Sequence, residues 1–102
     1  MTTRNRQRIS QGSGTTPLQL LGATIRAYRH QRHLTQEVLA AQTGLSLTYI
    51  SQVERGRRNV SVLALLGIAA VLQVPVGILL QPLETRPELF LPQQADAPLS
   101  TL

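Results

Sequence analysis

"LTQEVLAAQTGLSLTYISQVERGRRN", residues 34–59, contains two short apolar-periodic segments that are separated by one glycine and followed by a cluster of arginines. Thr35 and Ser46 are suited to helix N-termini, because their hydroxyl groups accept hydrogen bonds from free backbone N–H groups. Gly44 lies between the segments, where a left-handed residue commonly ends a helix. The stretch therefore predicts two short helices joined by a tight turn, with positive charge directly after the second helix.

The spacing of particular residues in this stretch is typical of a helix-turn-helix. With Gln36 as the first position, a small residue stands at position 5 (Ala40) and the turn residue at position 9 (Gly44). Apolar anchors stand at positions 15 and 18, Ile50 and Val53. Ala40 leaves room for the two helices to cross, and Gly44 tolerates positive φ. The four constraints are met together, which favours this unit over two unrelated helices.

Helical patterns continue on both sides of this unit. Before it, Pro17 is suited to the first turn of a helix that runs to about Gln31. After it, Ser61 would cap a fourth helix, Gly56 suits a left-handed residue before it, and Pro75 would begin a brief fifth helix. The apolar residues of these segments are Leu18, Leu21, Ile25 and Tyr28 in the first helix, Leu63, Leu65, Leu66, Ile68, Ala69 and Leu72 in the fourth, where all six are expected in the core, and Val76, Ile78, Leu79 and Leu80 in the fifth.

These segments predict an all-α protein in three parts. Residues 1–16 are polar and basic with almost nothing apolar, which indicates a flexible arm. Residues 17–81 hold the five helices and no strand pattern. Residues 82–102 contain four prolines and no long periodic segment, so an extended tail is expected, with the apolar residues 89–91 lying against a surface.

Positive charge is concentrated in the part of the chain that holds the quoted stretch. The net charge of the whole chain is +5. Residues 1–58 hold nine arginines and two glutamates, a net of +7, whereas residues 59–102 hold one arginine and three acidic residues, a net of −2. A basic half favours a polyanionic partner, either nucleic acid or an anionic membrane surface. The basic and apolar parts follow one another and do not share one helix, so nucleic acid is favoured and no membrane association is expected.

Residues 21–80 resemble the XRE family of bacterial and phage repressors, the phage repressor/Cro type. The matching motifs are "LTQ" at 34–36, "LA" at 39–40, "TGLS" at 43–46, "YISQVERGRRN" at 49–59 and "LGIAAVLQV" at 66–74. The resemblance implies a five-helix, lambda-repressor-like DNA-binding domain. Two positions depart from the family pattern. His33 replaces a frequent glycine, which predicts some strain in the first loop, and Val38 replaces a frequent glutamate, which removes half of a capping box.

The resemblance also implies a role for individual residues. The helix at 46–54 would lie in the major groove, with its outward side chains toward the bases. Gln52 could pair with adenine, Thr48 could bond either strand, and Leu47 could contact a thymine methyl group. The residues expected to touch DNA are Gln36, Ser46, Leu47, Thr48, Tyr49, Gln52, Arg55, Arg57, Arg58 and Asn59, of which Gln36 and the last four would contact phosphates. Arg29 and Glu54 match a family pair that forms a structural salt bridge.

Several of these residues have a competing interpretation that the sequence leaves open. Tyr49 could simply cover the edge of the core, and Leu47 could be an ordinary exposed apolar residue. The arginine cluster after the third helix could be a solvated loop. The arginines of the arm, Arg4, Arg6 and Arg8, could enter the minor groove or contact nothing.

The fourth and fifth helices have an unusual apolar surplus. Between Ser61 and Gln81 there is no charged residue. The positions expected to face outward, which usually carry charge in the family, are here Val62, Ala64, Gly67, Ala70, Val71, Pro75, Val76 and Gly77. Because a helix that is apolar all round must be buried on more than one side, we expect a homodimer through residues 61–73 and 75–81, supported by residues 89–91. The alternative is that the tail covers this surface within one monomer.

Other kinds of site find little support in the sequence. There is no cysteine, so disulfides and thiolate metal sites are excluded. His30 and His33 lie beside two arginines, a poor setting for a metal ion, and the acidic residues are scattered. No enzyme activity, metal or cofactor is expected. The first 17 residues contain no apolar run, and the longest apolar stretch is interrupted by glycine and proline, so a cytoplasmic location is expected.

The expected function is therefore sequence-specific binding of double-stranded DNA to regulate transcription. Repression is favoured, because blocking polymerase needs only occupancy of a near-palindromic operator by a dimer. The alternative is an antitoxin or a restriction–modification controller protein. Such a protein would regulate its own operon and bind a partner protein through its tail.

Overall fold

A computed structural model of the protein describes residues 15–91. Their elements are α1 (Pro17–Gln31), α2 (Gln36–Thr43), α3 (Leu47–Glu54), α4 (Val62–Leu72), α5 (Val76–Glu84) and a final 3₁₀ turn (Pro87–Leu89). Residues 15–91 contain no strand. The prediction of an all-α, five-helix fold is confirmed. Residues 1–14 of the predicted arm and residues 92–102 of the predicted tail lie outside the described residues.

Four of the helices begin with the same hydrogen bond. In each, the hydroxyl of the N-cap residue accepts from the backbone N–H three residues later, which satisfies one otherwise free donor of the first turn. The pairs are Thr16 with Gln19 at 3.1 Å, Thr35 with Val38 at 3.1 Å, Ser46 with Tyr49 at 3.0 Å and Ser61 with Ala64 at 3.1 Å. The caps predicted at Thr35, Ser46 and Ser61 are thus confirmed, whereas Thr16 was not predicted.

Left-handed residues mark the turns between the helices. Gly44 ends α2 with a φ of 73° and Gly56 follows α3 with a φ of 72°, as the sequence predicts. His33 has a φ of 58°, so the residue that replaces the family's glycine does adopt a conformation that glycine favours. Gln73, which ends α4 with a φ of 61°, is a second such residue and was not predicted.

One core receives side chains from all five helices. The largest fully buried side chains are Ile25 of α1, Leu39 of α2, Ile50 of α3, Ile68 and Leu72 of α4 and Leu79 of α5. The close approach of α1 to α3 depends on Gly22. A Cβ atom at that position would lie 2.3 Å from the carbonyl oxygen of Val53, so any side chain there would push the two helices apart.

The expectation that Leu63 and Leu66 lie in the core is wrong. Their exposed fractions are 81% and 43%. The face of α4 that meets the core consists of Leu65, Ile68, Ala69 and Leu72. These four residues have the i, i+3, i+4, i+7 spacing of one helix face, which turns Leu63 and Leu66 toward the outside.

The expectation that the chain is extended from Pro82 is also wrong for the first residues of that segment, 82–89. Helix α5 continues through Pro82 to Glu84, and a 3₁₀ turn follows. Pro82 lies in the last turn of α5, where a missing N–H removes only one helical hydrogen bond. Leu83 packs against the core, and this burial offsets the lost bond.

No single helix within residues 15–91 is long and apolar enough to cross a membrane. Helices α4 and α5 reach that length and mean hydropathy only together, and the pair is bent by 114°.

Candidate nucleic-acid interface

Helix α3 has one buried face and one exposed face. Ile50 and Val53 are buried beneath it. The residues at its N-terminal end, Ser46, Leu47 and Thr48, are exposed, and Leu47 exposes 43% of its surface. Because the Ser46 hydroxyl caps the helix, Leu47 and Thr48 are the side chains most available to an external partner at this end.

A buried ion pair fixes the other end of α3 to α1. Arg29 donates from Nε to Glu54 Oε2 at 2.6 Å and from Nη2 to Glu54 Oε1 at 2.9 Å. The two side chains are only 8% and 2% exposed. Nη1 of Arg29 donates to the carbonyl oxygen of Leu34 at 2.8 Å. The hydrogen bond from Arg29 to Glu54 raises the pKa of the guanidinium above its ordinary value, against the opposing effect of burial. Arg29 therefore acts inside the domain, not at its surface.

Gln36 lies beside this ion pair, at the first turn of α2. Its Nε2 donates to Glu54 Oε1 at 3.0 Å, and the residue is half-buried. The contact gives Gln36 a fixed position between α2 and the end of α3. Its contact with a phosphate stays a prediction.

The arginines that follow α3 lie along the exposed side of that helix. Nη2 of Arg55 donates to Ser51 Oγ at 3.0 Å. Arg58 donates to Gln52 Oε1 from both Nε, at 3.1 Å, and Nη2, at 2.8 Å. Arg57 and Asn59 are exposed. The cluster thus adjoins the exposed residues of α3 and extends its surface with positive charge.

Tyr49 connects this cluster to the core. It is half-buried and packs against the core cluster. The guanidinium carbon of Arg58 lies 5.1 Å from the centre of the Tyr49 ring, a distance at which a cation is attracted to the ring face. The Tyr49 hydroxyl accepts from the backbone N–H of Ser61 at 3.3 Å. Tyr49 therefore covers the edge of the core and supports Arg58, while its contact with DNA stays a prediction.

The loop that carries the arginines is held close to α1. A Cβ atom at Gly56 would lie 2.6 Å from the Cα atom of Gln19. With a φ of 72° and this contact, Gly56 is restricted to glycine for two independent reasons. The arginines on either side of it therefore start from a fixed backbone.

Arg32, by contrast, contributes to a different part of the molecule. Its Nε donates to the carbonyl oxygen of Leu72 at 2.9 Å, and its Nη2 donates to Gln73 Oε1. It thus satisfies a free carbonyl at the C-terminus of α4. Nothing local in the sequence indicates this contact, because the partners are 40 and 41 residues apart.

Two further groups of candidate residues come from the sequence, the arginines of the arm and the two histidines. Arg4, Arg6 and Arg8 lie outside the described residues. His30 and His33 are both exposed. No group of three or more histidine, aspartate or glutamate side chains lies close enough to hold a metal ion within residues 15–91.

Comparison of the sequence with known proteins identifies the family of the chain. The helix-turn-helix family model HTH_3 matches residues 25–79. The uncharacterized HTH-type transcriptional regulator y4dJ of Sinorhizobium fredii is 38% identical over 68 residues, which cover 67% of this chain and 88% of the relative.

Solved structures show the same similarity. The restriction-modification controller protein C.AhdI from Aeromonas hydrophila has a TM-score of 0.60 and 39% identity, over 61% of this chain and 94% of that chain. The controller protein C.Esp1396I, solved as a tetramer in complex with its natural 35 base-pair operator, has a TM-score of 0.61 and 30% identity, over 71% of this chain and 95% of that chain. The chain therefore belongs to the helix-turn-helix family of the XRE, Cro/C1 type, and it is a DNA-binding transcriptional regulator.

Proposed function

We propose that the protein is a sequence-specific repressor that binds a near-palindromic operator as a homodimer, with α3 in the major groove. The observation that carries the proposal is the exposed side of α3. Its N-terminal residues are exposed, the opposite face is buried in the core, and arginines adjoin its far end. Helix-turn-helix proteins present this end of the second helix to base edges.

The proposed contacts divide into two groups. Leu47, Thr48 and Gln52 would read base edges, since they are the exposed or half-buried side chains along the outer face of α3. The second group would contact phosphates and set the register of the protein on the duplex, without reading sequence. It contains Gln36, Arg55, Arg57 and Asn59.

The outer face of α4 supports the dimer. Leu63, Leu66 and Ala70 are exposed, share one stripe of that helix, and lie beside Val62, which is 72% exposed. The described part of the tail, through Leu91, leaves Val62 and Leu63 exposed. A second copy that packs on this stripe would bury it. A two-fold pair of this kind would also place two recognition helices about 34 Å apart, one turn of DNA.

A second candidate function is that of a restriction–modification controller or an antitoxin. It is favoured by the similarity to C.AhdI and C.Esp1396I and by two exposed side chains near the end of the described tail, Phe90 and Leu91, which are 54% and 57% exposed. Such a protein would also bind a partner protein through this segment. Co-purification of a protein partner that is lost in a Phe90→Ser, Leu91→Ser variant would favour this candidate over a stand-alone repressor. The proposed place of action is in both cases the bacterial cytoplasm, at the nucleoid DNA.

The experiment that tests the proposal is fluorescence anisotropy of labelled DNA. The DNA upstream of the protein's own gene and a scrambled duplex are compared at two salt concentrations. Specific binding would appear as roughly a thousandfold preference or more for the native DNA, together with a steep dependence on salt. A triple variant, Leu47→Ala, Thr48→Ala, Gln52→Ala, should lose the preference and keep the non-specific binding. The proposal would be contradicted if the protein bound both the native DNA and duplexes selected from a random library no more tightly than the scrambled duplex.

A further inference from the structure

The amide of Gln52 is already engaged before any DNA is present. Its Oε1 atom lies 3.1 Å from Nε and 2.8 Å from Nη2 of Arg58. A guanidinium carries only donors, so the Gln52 atom that faces Arg58 must be the carbonyl oxygen and not the amide nitrogen. A carbonyl oxygen has two lone pairs, and both are used here. Gln52 therefore offers an outside partner its NH₂ group, a donor.

Arg58 is held in place by the protein itself. Its guanidinium lies against the ring of Tyr49, 5.1 Å from the ring centre. The Tyr49 ring is anchored in turn, by packing on the core and by the hydrogen bond from the backbone of Ser61. Since Arg58 is supported on one side by Tyr49 and bonded on the other to Gln52, the amide orientation is set by the fold.

This orientation has a consequence for base recognition. A glutamine that pairs with adenine uses its NH₂ group as donor to N7 and its oxygen as acceptor from N6. In the Arg58-bound orientation the oxygen is occupied, so the adenine N6–H₂ group would meet no free acceptor. Guanine presents two acceptors in the major groove, N7 and O6. A donor-only Gln52, with the remaining N–H groups of Arg58 beside it, matches guanine.

We propose that Arg58 is a specificity-determining positioning residue, which holds the Gln52 amide as a donor and so directs this position of α3 to guanine instead of adenine. The inference rests on the proposed function, in which α3 reads base edges. It replaces two expectations from the sequence, namely that Gln52 pairs with adenine and that Arg58 contacts only phosphate.

The test begins with in vitro selection from a library of random duplexes, using the full-length protein. The Gln52→Ala variant identifies the base pair that depends on Gln52, because only that position loses its preference. The wild type should select guanine there. The Arg58→Met variant keeps an apolar stem for the Tyr49 ring but cannot donate to Gln52, so its preference should move toward adenine. Anisotropy on two duplexes that differ only at this base pair should show a change of about tenfold in their affinity ratio, as expected for one side chain–base contact.

The Arg57→Met variant is the matched control. Arg57 is also exposed and follows the same glycine, but its backbone N–H donates to the backbone carbonyl oxygen of Gln52 at 2.8 Å, and not to the side-chain amide. Loss of a phosphate contact at Arg57 should weaken binding to both duplexes equally and reduce the salt slope by about 1. The base preference should not change.

A second measurement needs no DNA. The side-chain NH₂ signals of Gln52 in an NMR spectrum of the free protein should shift in Arg58→Met and stay in place in Arg57→Met. Unchanged signals in Arg58→Met would overturn the inference. It would also be overturned if the wild type selected adenine at the Gln52-dependent position, or if Arg58→Met weakened binding without changing the preference. Selection that enriches no motif at all is a different result, which would remove the proposed function together with the inference.

Discussion

The segment that holds α1–α3 and the segment that holds α4 and α5 share one core but have opposite outer surfaces. Residues 15–59 carry six arginines and two glutamates, whereas Ser61 to Gln81 carry no charge. On α3 the apolar residues are confined to the buried face, with Leu47 as the exception. On α4 they continue around the helix to Val62, Leu63 and Leu66. The first surface suits a polyanion, and the second suits another apolar surface.

The two segments are also held together by different means. Helices α1, α2 and α3 are joined by a hydrogen-bonded network of the buried Arg29 and Glu54 with the half-buried Gln36. Helices α4 and α5 meet the core through apolar side chains, and Arg32 reaches α4 from the end of α1. Buried charges are costly once unpaired, so substitutions should affect the first segment most through polar groups. In the second segment, the effect of a substitution should depend on the apolar contact area that it changes and on the backbone conformation of the residue.

The largest effect is expected from Glu54→Gln, which removes the charge that neutralises Arg29. An unpaired buried guanidinium should cost about 3–5 kcal/mol in the free energy of unfolding, measured in urea. The matched control is Arg86→Gln, which breaks the exposed ion pair to Glu88 at 3.4 Å, with side chains 48% and 57% exposed. That change should cost less than about 1 kcal/mol. If both variants lost the same free energy of unfolding, burial would not be the reason for the importance of the Arg29–Glu54 pair.

The second prediction concerns the apolar surface of α4. Leu63→Glu places a charge on the stripe that is proposed to pair with a second copy, so the dimer should dissociate. Loss of the second half-site should weaken binding to a selected two-half-site duplex by roughly a hundredfold or more. Helix content should stay unchanged, because Leu63 is 81% exposed within the chain. Sedimentation velocity and anisotropy measure the two effects.

Leu91→Glu is the control for the dimer, since Leu91 is also an exposed apolar residue but lies in the tail. It should leave a dimer that is held by α4. If Leu63→Glu remains dimeric while Leu91→Glu dissociates, the dimer interface is formed by the tail and not by the apolar face of α4.

The third prediction uses the same substitution in both segments. Gly22→Ala would place its Cβ atom 2.3 Å from the carbonyl oxygen of Val53 and should cost about 1–3 kcal/mol, because backbone must move. Gly67→Ala lies in α4, where a Cβ atom meets nothing within 4 Å, and should stabilise the helix by about 0.5–1 kcal/mol. Both are best measured in the Leu63→Glu background, so that dimerisation does not contribute. If both variants changed the free energy of unfolding in the same direction, the close crossing of α1 and α3 at Gly22 would be contradicted.

The features predicted correctly from the sequence are those that depend on local chemistry. Thr35, Ser46 and Ser61 cap helices because a hydroxyl can reach a nearby N–H, and Gly44 turns the chain because it tolerates positive φ. The resemblance to the family added the pairing of Arg29 with Glu54, which periodicity alone does not indicate. The resemblance also implied outward side chains at the start of α3, where Ser46, Leu47 and Thr48 are exposed.

The incorrect or missing predictions depend on contacts that local patterns do not encode. Helix α4 is apolar around most of its surface, so its sequence does not indicate which face meets the core, and Leu63 and Leu66 were assigned wrongly. The bonds from Arg32 to α4 and from Arg58 to Gln52 depend on how the segments pack. No periodicity relates those residues. The candidate site was thus predictable in its location but not in the orientation of its side chains.

The smallest effect is expected at the two left-handed residues that are not glycine, His33 after α1 and Gln73 after α4, with φ of 58° and 61°. Glycine relieves the strain of this conformation at either position. The left-handed conformation costs about 1–2 kcal/mol, and glycine loses about 0.5–1 kcal/mol more conformational entropy on folding. His33→Gly should therefore stabilise the protein by about 0.5–1 kcal/mol net, or a few degrees in Tm. Gln73→Gly relieves the same strain but also removes the oxygen that accepts from Arg32. Because a hydrogen bond to a charged group contributes a similar or larger amount, its net change should be near zero or slightly destabilising. Equal stabilisation by both variants would show that the Arg32–Gln73 contact adds nothing, and that Arg32 holds α4 through its bond to the Leu72 carbonyl oxygen alone.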